Sequence, residues 1–101
     1  MNEITKVSDI KVSDISEYLG LPDTTIDDTN ELNNYLNIAK NFISDYTAIP
    51  VAELDNHPTF VQVVFILVQD MYDTRTLYVD KTNINKVVGA ILDGKRMNYV
   101  G

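Results

Sequence analysis

The most hydrophobic stretch of the chain lies near its middle. Six apolar residues run without a break from Val63 to Val68, and apolar side chains continue at helical spacing to Tyr72. At 100° per residue these side chains cover a broad arc, whereas Gln62, Gln69 and Asp73 share a narrow opposite stripe. A helix this apolar is buried among neighbouring elements rather than laid on a surface. The pattern therefore predicts a central helix that organises the core.

The alternative for this stretch is a buried β-strand, because Val, Ile and Phe favour strands. Six consecutive apolar residues suit such a strand, but the pattern runs past the usual length of one, through Met71 and Tyr72. The rest of the chain offers no strand pattern to pair with. Pro58 suits the first turn of a helix. We therefore expect a helix that begins near Pro58, continues through Leu77 and breaks near Asp80.

A second long helix is predicted from Asp28 to Tyr46. Asp28 and Glu31 resemble a capping box, with Asp in place of Ser or Thr. The apolar side chains keep spacings of three and four over four turns, so this helix is expected to lie antiparallel against the central one. The apolar stripe consists of Leu32, Tyr35, Leu36, Ala39, Phe42, Ile43 and Tyr46. The opposite face consists of Asn30, Asn33, Asn34, Asn37, Lys40, Asn41 and Asp45.

The N-terminal residues 1–12 are predicted to be irregular or to form a flexible arm. A tandem repeat of Lys-Val-Ser-Asp-Ile begins at Lys6. A period of five matches neither a helix nor a solenoid, so we interpret the repeat as coincidence or slippage. The second copy supplies Ser13 as the cap of a short helix, Asp14–Leu19. Gly20 is expected to close that helix.

A shorter helix is predicted near the C-terminus, from Asn83 to Asp93, with a cap at Thr82 and an end at Gly94. Its apolar stripe consists of Ile84, Val87, Val88, Ile91 and Leu92. Residues 97–101 are expected to form a tail. Residues 1–101 are thus predicted to be a single all-α domain. It is a small bundle of about four helices, with a short first helix, two long antiparallel helices and a shorter C-terminal helix.

Composition narrows the classes of protein that fit. The chain of 101 residues is 45% hydrophobic and 23% charged, which is a globular balance with room for one modest core. The absence of cysteine excludes disulfides and thiolate metal sites. Met1–Lys11 lacks the continuous apolar stretch of a signal peptide, and six apolar residues are far fewer than the roughly 20 that span a bilayer. We therefore predict no membrane contact.

The net charge of −7 makes the chain a poor candidate for binding the phosphate backbone of nucleic acids, because such binding depends on Lys and Arg. The only histidine, His57, is interpreted as a cap or surface residue, because no nucleophile pattern accompanies it. The isolated glycines form no phosphate loop. Asp70 and Asp73 have the spacing to share a cation, but such a pair is more often a solvated helix face. We predict no catalytic, cofactor or metal site, and no enzymatic activity.

Two side chains are unusual for their positions on the helical wheel. Ile66 falls at the edge of the polar stripe of the central helix, which indicates either a core that encloses the helix completely or a subunit interface. Arg75 falls on the apolar side and therefore needs a carboxylate, free carbonyl oxygens or a path outward to solvent. Its pair is either intramolecular and structural or between subunits, and the pattern does not identify the acidic partner.

Four segments, taken in order, resemble the small head–tail connector (adaptor) proteins of tailed bacteriophages, which are also described as DNA-packaging proteins. Residues 14–21 look like the opening short helix of that family, and residues 27–43 look like its long second helix. Residues 68–75 carry an aromatic side chain followed three residues later by Arg, and residues 84–96 look like the closing helix that ends in a basic residue. The order and spacing of the segments carry the resemblance, since no single motif is specific.

The resemblance implies an all-α subunit of a homo-oligomeric ring in the virion, assembled in the bacterial cytoplasm. The ring docks on the portal protein, extends the DNA channel and supports attachment of tail-completion or stopper proteins. DNA passes through it without sequence-specific binding. The resemblance implies neither catalysis nor a cofactor. The residues proposed for interface or structural roles are Ile66, Tyr72, Arg75, Lys95, Arg96 and Tyr99.

Two other functions are compatible with a small acidic chain. One is a helical regulator or inhibitor that binds a basic protein partner through its acidic face. The other is a helix-turn-helix DNA-binding protein, which the charge and the lack of a basic recognition helix disfavour.

Overall fold

The computed structural model describes residues 4–21, 26–79 and 84–95, with the backbone alone for 26–28. These residues form a helical bundle and contain no strand, which confirms the predicted all-α fold. The α-helices are α1 (Val12–Leu19), α2 (Ile26–Thr47), α3 (Thr59–Thr74) and α4 (Lys86–Lys95). Two 3-10 turns, Val7–Asp9 and Val51–Asn56, precede α1 and α3 respectively.

Helix α3 is the centre of the core, as its hydrophobic run predicts. It contacts α1, α2, α4 and the first 3-10 turn. Burial of each large apolar side chain stabilises the fold by roughly 1.5–3 kcal/mol, so this helix contributes heavily to the core. Its buried residues are Phe60, Val61, Val63, Val64, Leu67, Val68 and Met71.

The predicted continuation of α3 through Leu77 is wrong, because the helix ends at Thr74. Arg75 adopts a left-handed conformation with φ +56°. Its backbone N–H donates to the carbonyls of Met71 and Tyr72, and the N–H of Thr76 donates to the carbonyl of Met71 at 3.1 Å. These bonds satisfy carbonyls that a helix end leaves open. The chain therefore turns away from the helix axis.

Helix α2 packs against α3 and carries the predicted apolar stripe. It begins at Ile26, two residues before the predicted start, and ends at Thr47. Glu31, near the start of α2, forms an ion pair with Arg75 at the end of α3. Because a short connection also joins the end of α2 to the start of α3, the two helices run antiparallel. The stripe residues that are buried are Leu32, Tyr35, Leu36, Ala39 and Ile43, while Phe42 and Tyr46 are partly buried.

The N-terminal segment is not a flexible arm from residue 4 onward, so that prediction is wrong there. Val7 and Ile10 are buried in the core. The backbone N–H and the hydroxyl of Ser8 both donate to the carboxylate of Asp55, at 2.9 and 2.7 Å. The hydroxyl bond, with the backbone bond second, holds the pKa of Asp55 below its ordinary value. This segment is therefore fastened to the second 3-10 turn.

Helix α1 begins at Val12, so Ser13 lies inside it and is not its cap. The carboxylate of Asp14 accepts the N–H of Lys11 at 2.8 Å and closes the start of the helix. Gly20 ends it as predicted, with φ +74°, a conformation that glycine adopts without strain. The two repeats thus differ in structure, since the first forms a 3-10 turn and the second a helix.

Helix α4 begins at Lys86, three residues later than predicted, and extends through Gly94 to Lys95. The side chain of Asn85 accepts the N–H of Val87 at 2.8 Å and so caps the helix. The predicted cap at position 82 and the tail 97–101 lie outside the described residues. In the apolar stripe, Val88 and Leu92 are buried, Ile84 and Ile91 are partly buried, and Val87 is exposed.

We expect Ile10→Ala to lower the free energy of unfolding by about 2–5 kcal/mol, because it removes a buried side chain from a packed core. Lys11→Ala, at the next and exposed position, is the matched control. Urea unfolding followed by circular dichroism measures both. Equal stability of the two variants would show that the N-terminal segment is not packed.

Candidate interaction surfaces

The part of the chain that the structure describes contains no group of three or more His, Cys, Asp or Glu side chains placed to hold a metal ion. Within the same ranges, no helix combines the length and the apolar character needed to cross a bilayer. The ring of His57 lies 4.9 Å from the ring of Phe60, at the start of α3.

Arg75 is the centre of a polar network between α2 and α3. Its guanidinium donates to the carboxylate of Glu31 at 2.5 Å and lies 4.3 Å from the centre of the Tyr72 ring. The same carboxylate oxygen accepts the hydroxyl of Tyr35 at 2.9 Å. Burial raises the pKa of Tyr35, and the bond to Glu31 raises it further. The acidic partner that the sequence pattern did not identify is therefore Glu31, in the same chain.

The helical wheel placed Arg75 on the apolar side, and the structure corrects this. Arg75 is no longer helical, and its left-handed backbone directs the side chain out of the core, where it is 59% exposed. The sequence pattern indicates only a capping-box role for Glu31, the residue needed for the pair. The proximity of Glu31 to the end of α3 is a property of the tertiary structure.

Helix α3 keeps one face open to solvent. Gln62 and Gln69 are exposed on this face, and Ile66 between them is partly buried at the edge of the core. Beside them Phe65 stacks on Tyr18 of α1, with ring centres 4.9 Å apart. The core therefore does not enclose α3 completely, and the interface interpretation of Ile66 stays a prediction. Tyr18, which is 42% exposed, was not among the predicted residues.

A second exposed apolar region lies at the corner between α3 and α4. Leu77 and Tyr78 are 60% and 62% exposed. A cleft of about 520 Å³ opens beside Tyr78, which lines it together with Asp70 and Asp73. Burial, and then the neighbouring carboxylate of Asp73, raise the pKa of Asp70. The other described residues of the lining are Leu67, Met71, Thr74, Thr76, Val79, Ile84 and Asn85.

The predicted residues do not form a single site. The structure brings Tyr72 and Arg75 together, whereas Ile66 lies on the open face of α3. Lys95 is exposed in the last turn of α4. Arg96 and Tyr99 lie outside the described residues.

Comparison with protein-family models, with curated proteins and with solved structures finds no match to this chain.

The network around Arg75 predicts a specific order of melting temperatures. Arg75→Ala removes the ion pair and leaves a side chain at φ +56°, so it should melt below the wild type. Arg75→Gly also removes the ion pair, but glycine adopts this conformation without strain, so it should melt above Arg75→Ala. Thermal circular dichroism measures all three proteins. If Arg75→Ala melts like the wild type, the ion pair has no structural role.

The raised pKa of Asp70 predicts that this carboxylate, when ionised, opposes folding. A group with a raised folded pKa gives more stability when protonated, so the penalty is present at neutral pH and disappears as the pH falls below the unfolded value. Asp70→Asn should therefore melt above the wild type at pH 7 and equal it near pH ~3. A difference that is independent of pH would exclude an electrostatic origin.

Proposed function

We propose that this chain is a structural subunit of the head–tail connector of a tailed bacteriophage or prophage. In this role copies form a ring that docks on the portal protein, extends the DNA channel and supports tail attachment and DNA packaging or retention. The observation that carries the proposal is the ordered resemblance of four segments to connector proteins. Within the described residues, stretches of all four segments are helical and belong to one bundle around α3.

The distribution of surface features supports an assembly role. Chemistry needs a cluster of reactive groups in a sheltered site, whereas assembly needs faces that contact neighbours. The described surface offers the open face of α3 around Ile66 and the exposed corner at Leu77 and Tyr78. Exposed apolar side chains of this kind are typical of contact surfaces when they lie together.

The acidity of the chain supports passage of DNA rather than its capture. Sequence-independent DNA binding depends on Lys and Arg contacts to phosphate. With a net charge of −7, a ring of identical copies repels phosphates, so DNA can slide through its channel. The partners in this proposal are other copies of the chain, the portal protein and a tail-completion or stopper protein. The site of action is the virion, after assembly in the host cytoplasm.

The open face of α3 provides the test. In the presence of portal protein, the wild-type chain should form rings visible by electron microscopy, and Ile66→Asp should lower ring yield because it places a charge in a contact. Ala52→Asp, at an exposed position of the second 3-10 turn, is the control and should assemble normally. Far-ultraviolet circular dichroism must show that both variants stay helical.

Two results would contradict these expectations. If Ile66→Asp unfolds the isolated chain, Ile66 is a core residue rather than an interface residue. If the wild-type chain stays monomeric at high concentration and never joins portal, the connector function is wrong. Binding to a basic protein in that case would favour the small acidic regulator instead.

A further inference from the structure

Self-association of this chain faces an electrostatic constraint. Copies with a net charge of −7 repel one another, so their contacts favour surfaces without acidic side chains. Two helical stretches satisfy this condition. No acidic residue lies between Asp55 and Asp70, which includes most of α3, and none lies between Glu31 and Asp45 in α2.

The two stretches expose the same arrangement of side chains. On α3, Gln62 and Gln69 are exposed on either side of the partly buried Ile66; we call these three residues the glutamine face. On α2, two exposed amides flank a partly buried isoleucine at identical spacing, four residues before it and three after it. This asparagine face consists of Asn34, Ile38 and Asn41. Exposed Asn30, Asn33 and Asn37 extend it.

The two faces lie on different helices, each directed away from the core. Helices α2 and α3 contact each other, and each has a buried stripe, which includes Ala39 on α2 and Val64 on α3. On each helix the exposed amides lie across the helix from that buried stripe. Each face is therefore on the outer side of its own helix.

Two different surfaces on one subunit suit a head-to-tail contact. Such a contact repeats from copy to copy and closes a ring when its rotation permits. The side chains suit it chemically as well, because Asn and Gln amides both donate and accept hydrogen bonds without carrying charge. The partly buried isoleucine of each face, Ile66 or Ile38, adds apolar surface to the contact. A contact between two glutamine faces would instead be two-fold symmetric and would stop at a dimer.

We propose that copies of this chain associate head to tail, with the glutamine face of one copy packed on the asparagine face of the next. This inference rests on the proposed function and names the contact that repeats around the ring. It assigns Gln62, Gln69, Asn34 and Asn41 as interface residues.

The test uses two isosteric variants of the full chain that each add two carboxylates to one face. The glutamine-face variant is Gln62→Glu with Gln69→Glu, and the asparagine-face variant is Asn34→Asp with Asn41→Asp. The control adds two carboxylates at exposed positions outside both faces, as Ala52→Asp with Ala90→Asp. Circular dichroism verifies folding; if a paired variant melts below the control, Gln62→Glu or Asn34→Asp alone replaces it.

Sedimentation velocity and electron microscopy, each with and without portal protein, measure association. Each face variant alone should associate about tenfold or more weakly than the control, because the added carboxylates would be buried at the contact without a charged partner. Each variant still has one intact face. A mixture of the two should therefore form heterodimers through the one unaltered junction and nothing larger.

Other outcomes overturn the proposal, and they are distinguishable from failure of the proposed function. If rings form and both face variants join them like the control, the connector function stands but these faces are not the contact. If only the glutamine-face variant loses association, the contact is symmetric through α3. If the mixture gives no heterodimer, the faces do not meet. If the wild type associates under no condition, both proposals fail.

Discussion

The burial of α3 is the interaction on which the other elements depend. Its apolar side chains are covered by α2 along one side and by α1, α4 and the first 3-10 turn elsewhere. A short, largely apolar helix is unstable alone in water, so the burial that stabilises α3 also holds the neighbouring helices in place. The apolar stripes of the amphipathic helices α2 and α4 are buried because these helices pack against α3.

Polar contacts fasten the outlying parts of the bundle to that core. The side chains of Ser8 and Tyr46 donate hydrogen bonds to Asp55 and Asp93 respectively, and Arg75 forms an ion pair with Glu31. The two partners in each pair are 44 to 47 residues apart in the sequence. Exposed polar contacts of this kind add little stability individually. They fix where segments lie, since each joins the edge of one element to a different element.

The same arrangement decides which surfaces remain for partners. Within the described residues, one side of α3 and the outer side of α2 are left uncovered. Amides occupy most of the exposed positions there, with Asp73 and Asp45 towards the C-terminal ends of the two helices. The proposed connector role requires contact surfaces on a small subunit that itself repels DNA. The acidic composition and the two amide faces are compatible with this role, and neither feature alone distinguishes a ring subunit from another helical protein.

The sequence by itself determined the helical class, the central position of α3 and the buried stripe of α2, because these follow from local periodicity of apolar residues. It singled out Ile66 at the edge of the polar stripe, but not what surrounds it, and it placed Arg75 on the apolar side of a helix that in fact ends at Thr74. Only the tertiary structure decided that α3 stops at Thr74, that Glu31 meets Arg75, and that Val7 and Ile10 join the core. Each of these depends on contacts between residues distant in the chain, which a local pattern does not contain.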